Sequence, residues 1–518
     1  MNLLIDKWIP VRLLDGGTPR QISLQELLCG TEKWELCLPR DDMELAAMQL
    51  LICITQALFT PKDKNELLIR IVKSITAEEY QAAPVEYGEW FCLDHPKWPF
   101  MQVRGVAAKD PTPMDKLLAG VTGATNSCFV NQAGLADGLC GGRAAIVLFN
   151  QASSAPSFGG GFKAGLRGSS PITTLAQGDH LCRTIWFNVL HAEELQVNFP
   201  WYEETASQKP NWVDPIKTGE KIPAQRIGVV RGLFWQPAHI ELLSPVAAKS
   251  CICCGQPATS VYKTFNKAKF SYTVEGTWPH PHSPRLMINK KGAMEEKFAA
   301  FTTTAPAWTQ LSRFVVQQQI DNSNSEGQQP AAVIMQARKV LPPQLQKLHL
   351  LVGGYRNNQA SVLERRHEVF TLNHGWDKSP EVINAMVSLG RGYRDALYKA
   401  LSLFVGGIKE SKGATKIKGS GIKVNQSAEA QFYRRSEPTV EDILARIDFT
   451  NPAPVLARMR GELKAIVMEL FEEATRPYLN DPELIRTLAV ARRTLYKHTN
   501  NLEPQQNKGG VNGTAEIP

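Results

Sequence analysis

Residues 380–404 read PEVINAMVSLGRGYRDALYKALSLF, the clearest helical pattern in the chain. The apolar side chains of this segment recur at steps of three and four residues: Val382, Met386, Leu389, Tyr393, Leu397, Ala400 and Phe404. Residues at that spacing share one face of an α-helix. The segment therefore predicts one long amphipathic helix that buries a single face.

The same periodicity continues downstream. Another helix face is formed by Val455, Met459, Leu463, Ile466, Leu470 and Ala474. A further helix is predicted from Asp481 as N-cap with Pro482 in its first turn, and a shorter one over about 428–446 with a break near Pro438. Four amphipathic helices in succession predict an antiparallel four-helix bundle over residues 376–505, followed by a disordered tail at 506–518.

Upstream of the bundle the pattern is irregular. Short β-rich runs at 3–5, 144–149, 183–190 and 270–274 lie between Gly- and Pro-rich loops, including the polar segments 202–223 and 321–330. The apolar run 43–59 is too short and too polar to span a bilayer and fits a buried helix. We therefore predict an α+β protein, with a large mixed α/β N-terminal domain at 1–375 followed by the all-α four-helix bundle.

The composition is that of a folded, reduced protein. With 43% hydrophobic and 21% charged residues, the 518-residue chain is not disordered, collagen-like or fibrous. Ten cysteines are too few for a disulfide scaffold, which predicts reduced thiols and a cytoplasmic location. The N-terminus lacks a basic n-region, so no signal peptide is expected. The net charge of +8 permits a polyanionic partner without requiring one.

A glycine-rich segment at 157–168, SFGGGFKAGLRG, contains a formal match to the dinucleotide-binding pattern G-x-G-x-x-A. The context excludes that site, because Gly165, Gly168 and Pro171 prevent the helix that would hold a pyrophosphate. What remains is a glycine loop whose backbone can approach another molecule closely, flanked by Lys163 and Arg167, which can neutralise phosphates. A flexible turn with solvated charges is the alternative.

Cysteine spacing indicates one candidate metal site. Cys251 and Cys254 form a C-x-x-C pair, Cys140 can supply a third thiolate, and Cys253 is a substitute ligand. A second pair is incomplete because residue 143 is arginine, whose positive charge disfavours a metal ion nearby. A metal-free structural turn is the alternative.

The segment WPHPHSP at 278–284 places His280 and His282 two residues apart, where they could ligate a metal or transfer protons. No carboxylate-rich cluster accompanies them, and the prolines favour a rigid loop. No nucleophile elbow, zincin motif or P-loop occurs in the sequence. We therefore predict no catalytic activity, with a metal-dependent nuclease at these two histidines as the alternative.

Two segments have the composition of nucleic-acid contacts. GGYRNNQAS at 353–361, followed by LERRH at 363–367, combines glycine turns, amides that can probe base edges, and arginines that can hold phosphates. Residues 409–423 hold five lysines against one glutamate, as a loop that tracks a nucleic-acid backbone would. An exposed polar hairpin and a solvated linker are the respective alternatives.

These segments together resemble a known family. The order MNLLIDKWIPV, LPRDDMELAAM, TPMDKLLAGVTGATN, SCFVNQ, FGGGFKAGLRG, GLFWQPAHIEL, WPHPHSP and GGYRNNQAS is similar to the large, CasA-type subunit of the type I-E CRISPR surveillance complex, Cascade. The resemblance runs from Met1 to about residue 504. It implies a non-catalytic subunit that recognises the protospacer-adjacent motif in double-stranded DNA, promotes duplex opening for R-loop formation and recruits the helicase-nuclease.

The implied partners are the other Cascade subunits, the CRISPR RNA, double-stranded target DNA and the helicase-nuclease, with no membrane. No cofactor is required. A purely structural scaffold is the remaining alternative to a subunit that recognises DNA.

The resemblance also assigns roles to individual residues. The family's glycine loop falls on Gly159, Gly160 and Gly161, with Lys163 beside it, and its minor-groove lysine falls on Lys269. Its wedge falls on Gln359, with Asn358 beside it. Backbone, lysine and shape contacts suit the degenerate pattern of the minor groove, and a wedge beneath the first base pair lowers the cost of opening the duplex.

Other residues have less specific counterparts. Phe129, Val130 and Asn131 match a family segment that docks against the guide-RNA 5′ handle and its neighbouring subunit. The candidates for non-specific DNA contacts are Arg356, Lys412, Lys416 and Lys418. Related sequences carry a cysteine at the position of Arg143, which completes a zinc site with the counterparts of Cys140, Cys251 and Cys254. Structural zinc is therefore an alternative here rather than the expectation.

Overall fold

The computed structural model describes residues 1–83, 85–121, 134, 136–290, 292–320, 326–341, 347–408 and 417–504. The chain divides into two compact units, Met1–Thr303 with Arg313–Asp377, and Thr304–Ser312 with Lys378–Pro518. The short segment at 304–312 thus joins the second unit, whereas the sequence placed it in the first domain. Among the described residues, no helix is both long enough and apolar enough to cross a membrane.

The elements confirm the predicted α+β class. The helices are α1 (Leu24–Cys29), α2 (Asp41–Leu58), α3 (Lys64–Val72), α4 (Ala77–Gln81), α5 (Val85–Trp90), α6 (Gly141–Ser153), α7 (Leu181–Phe187), α8 (Ala192–Asn198), α9 (Tyr202–Thr205), α10 (Val229–Leu233), α11 (Leu311–Val315), α12 (Ala332–Val340), α13 (Pro380–Gly406), α14 (Val424–Arg446), α15 (Ala453–Thr475) and α16 (Ile485–Asn500).

The strands are β1 (Ile9–Leu13), β2 (Arg20–Ile22), β3 (Trp34–Leu36), β4 (Thr112–Pro113), β5 (Thr173–Gln177), β6 (Glu220–Pro223), β7 (His239–Leu242), β8 (Val246–Ala247), β9 (Ser260–Val261), β10 (Thr264–Ala268), β11 (Tyr272–Glu275), β12 (Arg285–Lys290), β13 (Ala293–Phe298), β14 (Glu326–Gln329), β15 (Leu348–Asn358) and β16 (Ser361–Leu372). They form small sheets with the orders β2-β1-β3, β4-β10-β7, β11-β6, β13-β12-β14, β16-β15-β5 and β8-β9.

Two of the predicted strands are helices. The run at 144–149 lies in α6, and the run at 183–190 lies largely in α7. Every residue from Gly142 to Ala152 is buried, so α6 has no solvent-exposed face, and the continuous apolar run at 144–149 is compatible with either a helix or a strand. Residues 3–5 form a turn, and the run at 270–274 corresponds to β11. The two polar segments predicted as loops also contain α9, β6 and β14.

The longest hairpin of the first unit consists of β15 and β16, and we call it the wedge hairpin. Its strands pair in antiparallel register from Leu348 opposite Leu372 to Asn358 opposite Ser361, with a bulge between Arg356 and Asn357. On its other edge β15 pairs with β5. The base of the hairpin is therefore held in a three-stranded sheet, and its turn, residues 359–360, lies at the far end.

The second unit contains the four predicted bundle helices, α13 to α16, which contact one another. The apolar faces predicted for α13 and α16 are buried, although α16 begins at Ile485 rather than at Pro482. In α15 the predicted Met459, Leu463 and Leu470 are buried, whereas the predicted Val455, Ile466 and Ala474 are only half-buried. The break predicted near Pro438 is wrong, because α14 continues through it. Phe432 before the proline and Val440 after it are both buried, so packing maintains the helix across the missing backbone hydrogen bond.

Candidate nucleic-acid interface

The glycine loop, Gly159–Gly161, has a backbone that other residues rarely adopt. Its three φ angles are +75°, +56° and +89°, in the left-handed region. A Cβ atom added at Gly160 would meet no other heavy atom of the described chain within 4 Å. Gly160 is therefore exposed and open on the side where a side chain would lie, so a partner could approach its Cα atom closely there.

Two aromatic rings brace the base of this loop. Phe158 and Phe162 form an edge-to-face pair with ring centroids 5.4 Å apart. The Nζ atom of Lys267 lies 5.3 Å and 5.8 Å from these two centroids and donates a hydrogen bond of 3.2 Å to Oγ1 of Thr112. Burial, together with the nearby charge of Lys116, lowers the pKa of Lys267. Sequence reasoning missed this brace, although two phenylalanines flanking a glycine run are a visible signal.

The two cations predicted beside the loop differ in their surroundings. Lys163 is exposed; its Nζ donates to the carbonyl oxygen of Tyr272 and lies 4.7 Å from the centroid of that ring, and its contact with DNA stays a prediction. Arg167 is buried and donates to Thr173, Ser283 and other polar groups. Burial lowers its pKa to about 9. The predicted phosphate contact at Arg167 is therefore wrong.

Lys269 lies against the glycine loop from the connection between β10 and β11. Its exposed Nζ donates a hydrogen bond of 3.1 Å to the carbonyl oxygen of Gly160. A Cβ added at Gly161 would come within 3.4 Å of the same Nζ. An ammonium group has three donors, so one bond to the loop leaves capacity for an external acceptor.

The turn of the wedge hairpin reaches the same place. Gln359 is exposed and holds a φ of +53°, unusual for a residue other than glycine. Nδ2 of Asn357 donates to the carbonyl oxygen of Gln359 (2.6 Å) and to Oγ of Ser169 (3.2 Å), which fixes the turn. A Cβ added at Gly159 would lie 3.1 Å from Cβ of Ala360. The structure thus brings together the glycine loop, Lys269 and the hairpin turn.

The arginines of the wedge hairpin are engaged in ion pairs. Arg356 pairs with Glu364 at 2.8 Å, Arg365 pairs with Asp41 at 3.2 Å, and the buried Arg366 pairs with Glu364 at 3.2 Å. Phosphate binding by Arg366 is excluded by its burial. The DNA contact of Arg356 stays a prediction, although Glu364 competes for its guanidinium.

Several predicted contacts cannot be placed. Phe129, Val130 and Asn131, together with Lys412 and Lys416, lie outside the described residues. Lys418 is exposed in the second unit, and its Nζ donates to the carboxylate of Glu483. The roles of these residues stay predictions.

The three candidate metal ligands do come together. The Sγ atoms of Cys140, Cys251 and Cys254 all lie within 4.8 Å of one another. Hydrogen bonds from the thiols of Cys140 and Cys251 lower the pKa of Cys254, and the charge of Arg143 acts in the same direction. The cluster joins the start of α6 to the turn at 251–254.

Arg143, at the position where the resemblance implies a fourth ligand, lies close enough for its charge to act on Cys140 and Cys254. It is fully buried, and among the described residues its Nε and Nη2 atoms have no hydrogen-bond partner. A structural zinc site takes four thiolate or imidazole ligands, which together offset the charge of the ion. Three thiols beside a fixed buried cation do not meet that requirement, so these residues do not fit such a site.

His280 and His282 do not form a nuclease site. They are only 3% and 2% exposed. Nδ1 of His282 lies 3.1 Å from Nε2 of Gln49, and burial lowers the pKa of His282 to about 3 and that of His280 well below its usual value. A phosphodiester cannot reach two neutral, enclosed imidazoles, so the alternative of a nuclease at these histidines is wrong.

Comparison with known proteins gives a consistent result. The model of the family described as CRISPR-associated protein Cse1 matches residues 2–470. Among solved structures, a CRISPR-associated protein from Thermus thermophilus superposes with a TM-score of 0.72 at 18% identity, covering 97% of this chain and 100% of that chain.

Cse1 from Thermobifida fusca gives a TM-score of 0.72 at 16% identity, covering 96% of this chain and 98% of that chain. A chain of a structure titled CRISPR RNA-guided surveillance complex gives 0.66 at 14% identity, covering 96% and 99%. At these identities the structural matches show a shared fold over almost the whole length of each chain.

Proposed function

The chain belongs to the CRISPR-associated Cse1 family, the large-subunit family of type I-E Cascade, and on that premise we propose that it reads the protospacer-adjacent motif in duplex DNA and opens the duplex beside it. It acts as a non-catalytic subunit of an RNA-guided surveillance complex. The observation that carries the proposal is the convergence of the glycine loop, Lys269 and the turn of the wedge hairpin.

The chemistry of the glycine loop and Lys269 suits the minor groove. That groove is narrow and presents mainly acceptor atoms, so a partner needs a slim backbone and a donor rather than a large side chain. Gly160 offers a backbone with open space around it, and Nζ of Lys269 lies beside its carbonyl oxygen. Because the minor-groove pattern is degenerate, the motif read by these groups is relaxed.

Gln359 acts as the wedge. It lies at the turn of a hairpin that is held at its base by β5 and at its tip by Ser169. A non-glycine residue with positive φ is retained where the surrounding structure fixes it, and such positions are frequent at functional sites. Inserted beneath the first base pair, Gln359 offsets part of the cost of unstacking, so the guide RNA begins to pair.

The other partners follow from the family. The surveillance complex supplies the remaining subunits and the CRISPR RNA, and the helicase-nuclease is recruited after the duplex opens. Such a complex meets invading DNA in the cytoplasm, which is the location we assign. Recruitment is tested by asking whether the helicase-nuclease binds the DNA-loaded complex only when this subunit is present.

A gel-shift titration at fixed salt tests the central proposal. The assembled complex carrying Lys269→Ala or Gln359→Ala should bind motif-containing duplex about tenfold more weakly than wild type, since each change removes a contact worth roughly 1–2 kcal/mol. The titrations of wild type and of the variants must use the same salt concentration, because phosphate contacts make the affinity for DNA salt-dependent.

Matched controls are Lys249→Ala and Gln225→Ala, which remove exposed side chains elsewhere in the first unit. They should leave both assembly and binding unchanged. Unchanged binding in the two site variants would overturn the assignments. Equal affinity of wild type for duplexes with and without the motif would favour the structural scaffold instead.

A further inference from the structure

The hydroxyl of Tyr355 lies in a buried polar network beneath the wedge hairpin. Tyr355 is fully enclosed, one residue before the pair Arg356–Asn357 at which the hairpin bulges. Its hydroxyl donates a bond of 2.8 Å to Oδ2 of Asp42 and accepts one of 2.7 Å from Nδ2 of Asn150. Burial raises the pKa of Tyr355, so the hydroxyl keeps its proton.

The Asp42 side of this network is an enclosed ion pair. Arg40 donates from Nε and Nη2 to the two carboxylate oxygens of Asp42, at 2.9 Å and 2.6 Å. Nη2 of Arg40 also donates to the carbonyl oxygen of Ala119 at 2.6 Å. A bidentate pair of this kind has a fixed orientation, so Asp42 presents its oxygen to Tyr355 from a defined direction.

The Asn150 side leads into the glycine loop. Asn150 lies in the last turn of α6, and its carbonyl oxygen accepts the backbone N–H groups of Ser154 and Ala155, both at 2.9 Å. The glycine loop begins four residues after Ala155. The ring of Tyr355 packs with Ala119 and Ala155, and Val362 from the other strand of the hairpin covers them.

One side chain of the wedge hairpin thus contacts the segment that leads into the glycine loop. Tyr355 belongs to the wedge hairpin and lies four residues before Gln359, and its partners Asn150 and Ala155 begin the segment that becomes the glycine loop. Buried hydrogen bonds are directional and costly to leave unmade, so the network resists sliding of one element against the other.

Building on the proposed function, we infer that Tyr355, with Asp42 and Asn150, is a positioning residue that couples motif recognition to duplex opening. It holds Gln359 at a fixed distance from the glycine loop, so that a minor groove seated on the loop places its first base pair against the wedge. Tyr355 itself touches no DNA.

Tyr355→Phe is the test, because it removes the hydroxyl and keeps the ring packing. The assembled complex is titrated with three DNA probes: a paired duplex with the motif, the same duplex with the motif replaced, and a motif duplex with a pre-opened bubble beside the motif. The variant should bind the paired motif duplex about fivefold more weakly, a loss typical of one buried hydrogen bond. Its affinity for the bubble and for the motif-free duplex should match wild type.

Tyr80→Phe is the matched control. It also removes a partly buried hydroxyl that donates a hydrogen bond, here to the carbonyl oxygen of Leu4, away from the hairpin. It should leave all three affinities unchanged. Asn150→Ala is a second variant for the same network. It should show the pattern expected of Tyr355→Phe, and it takes the place of Tyr355→Phe as the test if Tyr355→Phe assembles poorly.

Gln359→Ala distinguishes a failure of the coupling role of Tyr355 from a failure of the proposed wedge. If it loses paired-duplex binding and keeps bubble binding while Tyr355→Phe changes neither, the wedge stands and the coupling role of Tyr355 is overturned. Equal losses on duplex and bubble in Tyr355→Phe would reduce it to a general packing residue. If Gln359→Ala shows no difference between duplex and bubble, the proposed wedge itself fails.

Discussion

The Nζ atom of Lys269 lies 3.1 Å from the carbonyl oxygen of Gly160, the loop residue at which an added Cβ would meet no heavy atom of the described residues within 4 Å. The two residues are 109 positions apart in sequence. This bond places a cation and an open peptide backbone on one surface, and the turn of the wedge hairpin lies beside it at Ala360.

Gly160→Ala should weaken binding of the motif duplex by about fivefold without impairing assembly. The added methyl group would stand in the open space that a groove must enter, and the φ of +56° adds strain of about 1 kcal/mol. Gly16→Ala is the control, since Gly16 also has positive φ and open space around it but belongs to the turn between β1 and β2. Similar binding losses in both variants would indicate a general effect of strain.

Gln359→Gly should separate stability from function. Glycine adopts a φ of +53° without strain, so the free energy of unfolding should be unchanged or higher by up to about 1 kcal/mol. Duplex binding should nevertheless fall, because the wedge side chain is lost. Chemical denaturation and gel-shift titration of one preparation measure both quantities. Full duplex affinity in this variant would show that the side chain of Gln359 has no part in opening.

The cysteine cluster should purify without stoichiometric zinc, because a buried arginine stands beside the three thiols. Arg143→Cys should acquire about one zinc ion per chain, since it completes a four-thiolate set. Elemental analysis after dialysis against a chelator measures both, and the double change Arg143→Cys with Cys254→Ser should return the content toward zero. Retention of one zinc ion by the wild-type chain would contradict this account.

Acidification should destabilise the first unit through His280 and His282. Burial lowers the pKa of both imidazoles in the folded protein, to about 3 for His282, whereas in the unfolded chain it is about 6.5. Between about pH 3 and about pH 6.5 the unfolded state therefore binds more protons than the folded state. The contribution of the neutral imidazoles to the free energy of unfolding is fully present above about pH 6.5 and is lost as the pH falls.

Urea unfolding at pH 7, 6 and 5 measures this effect. His282→Gln should reduce the slope of stability against pH by up to about 1.4 kcal/mol per pH unit, whereas the exposed His374→Gln should not. An unchanged slope in His282→Gln would show that its imidazole does not titrate between the two states.

Helices with one exposed face could be predicted from the sequence, and helices enclosed by other elements could not. The faces of α13 and α15 alternate with solvent-exposed residues, so their period is visible. In α6 and α7 nearly every residue is buried, and a continuous apolar run is compatible with either a helix or a strand. The path of α14 through Pro438 depends on packing from neighbouring helices, which local sequence does not contain.

The individual segments of the candidate site could be predicted from the sequence, but the contacts that bring them together could not. Glycine runs, amides and lysines are visible in the sequence, and the resemblance assigns them roles. The residue type of Arg167 and Arg366 does not indicate that both side chains are buried, and the sequence near Lys163 does not reveal its hydrogen bond to Tyr272. Tyr355 reads as one apolar residue of a strand, because its partners Asp42 and Asn150 lie 313 and 205 residues away.

The most direct test of the central claim is the fluorescence of 2-aminopurine placed at the first base pair beside the motif. At saturating concentrations of the assembled complex, wild type should increase the fluorescence as that base leaves the stack, and Gln359→Ala should bind without the increase. An equal increase with Gln359→Ala, at the same occupancy of the DNA, would contradict the claim that the wedge hairpin opens the duplex.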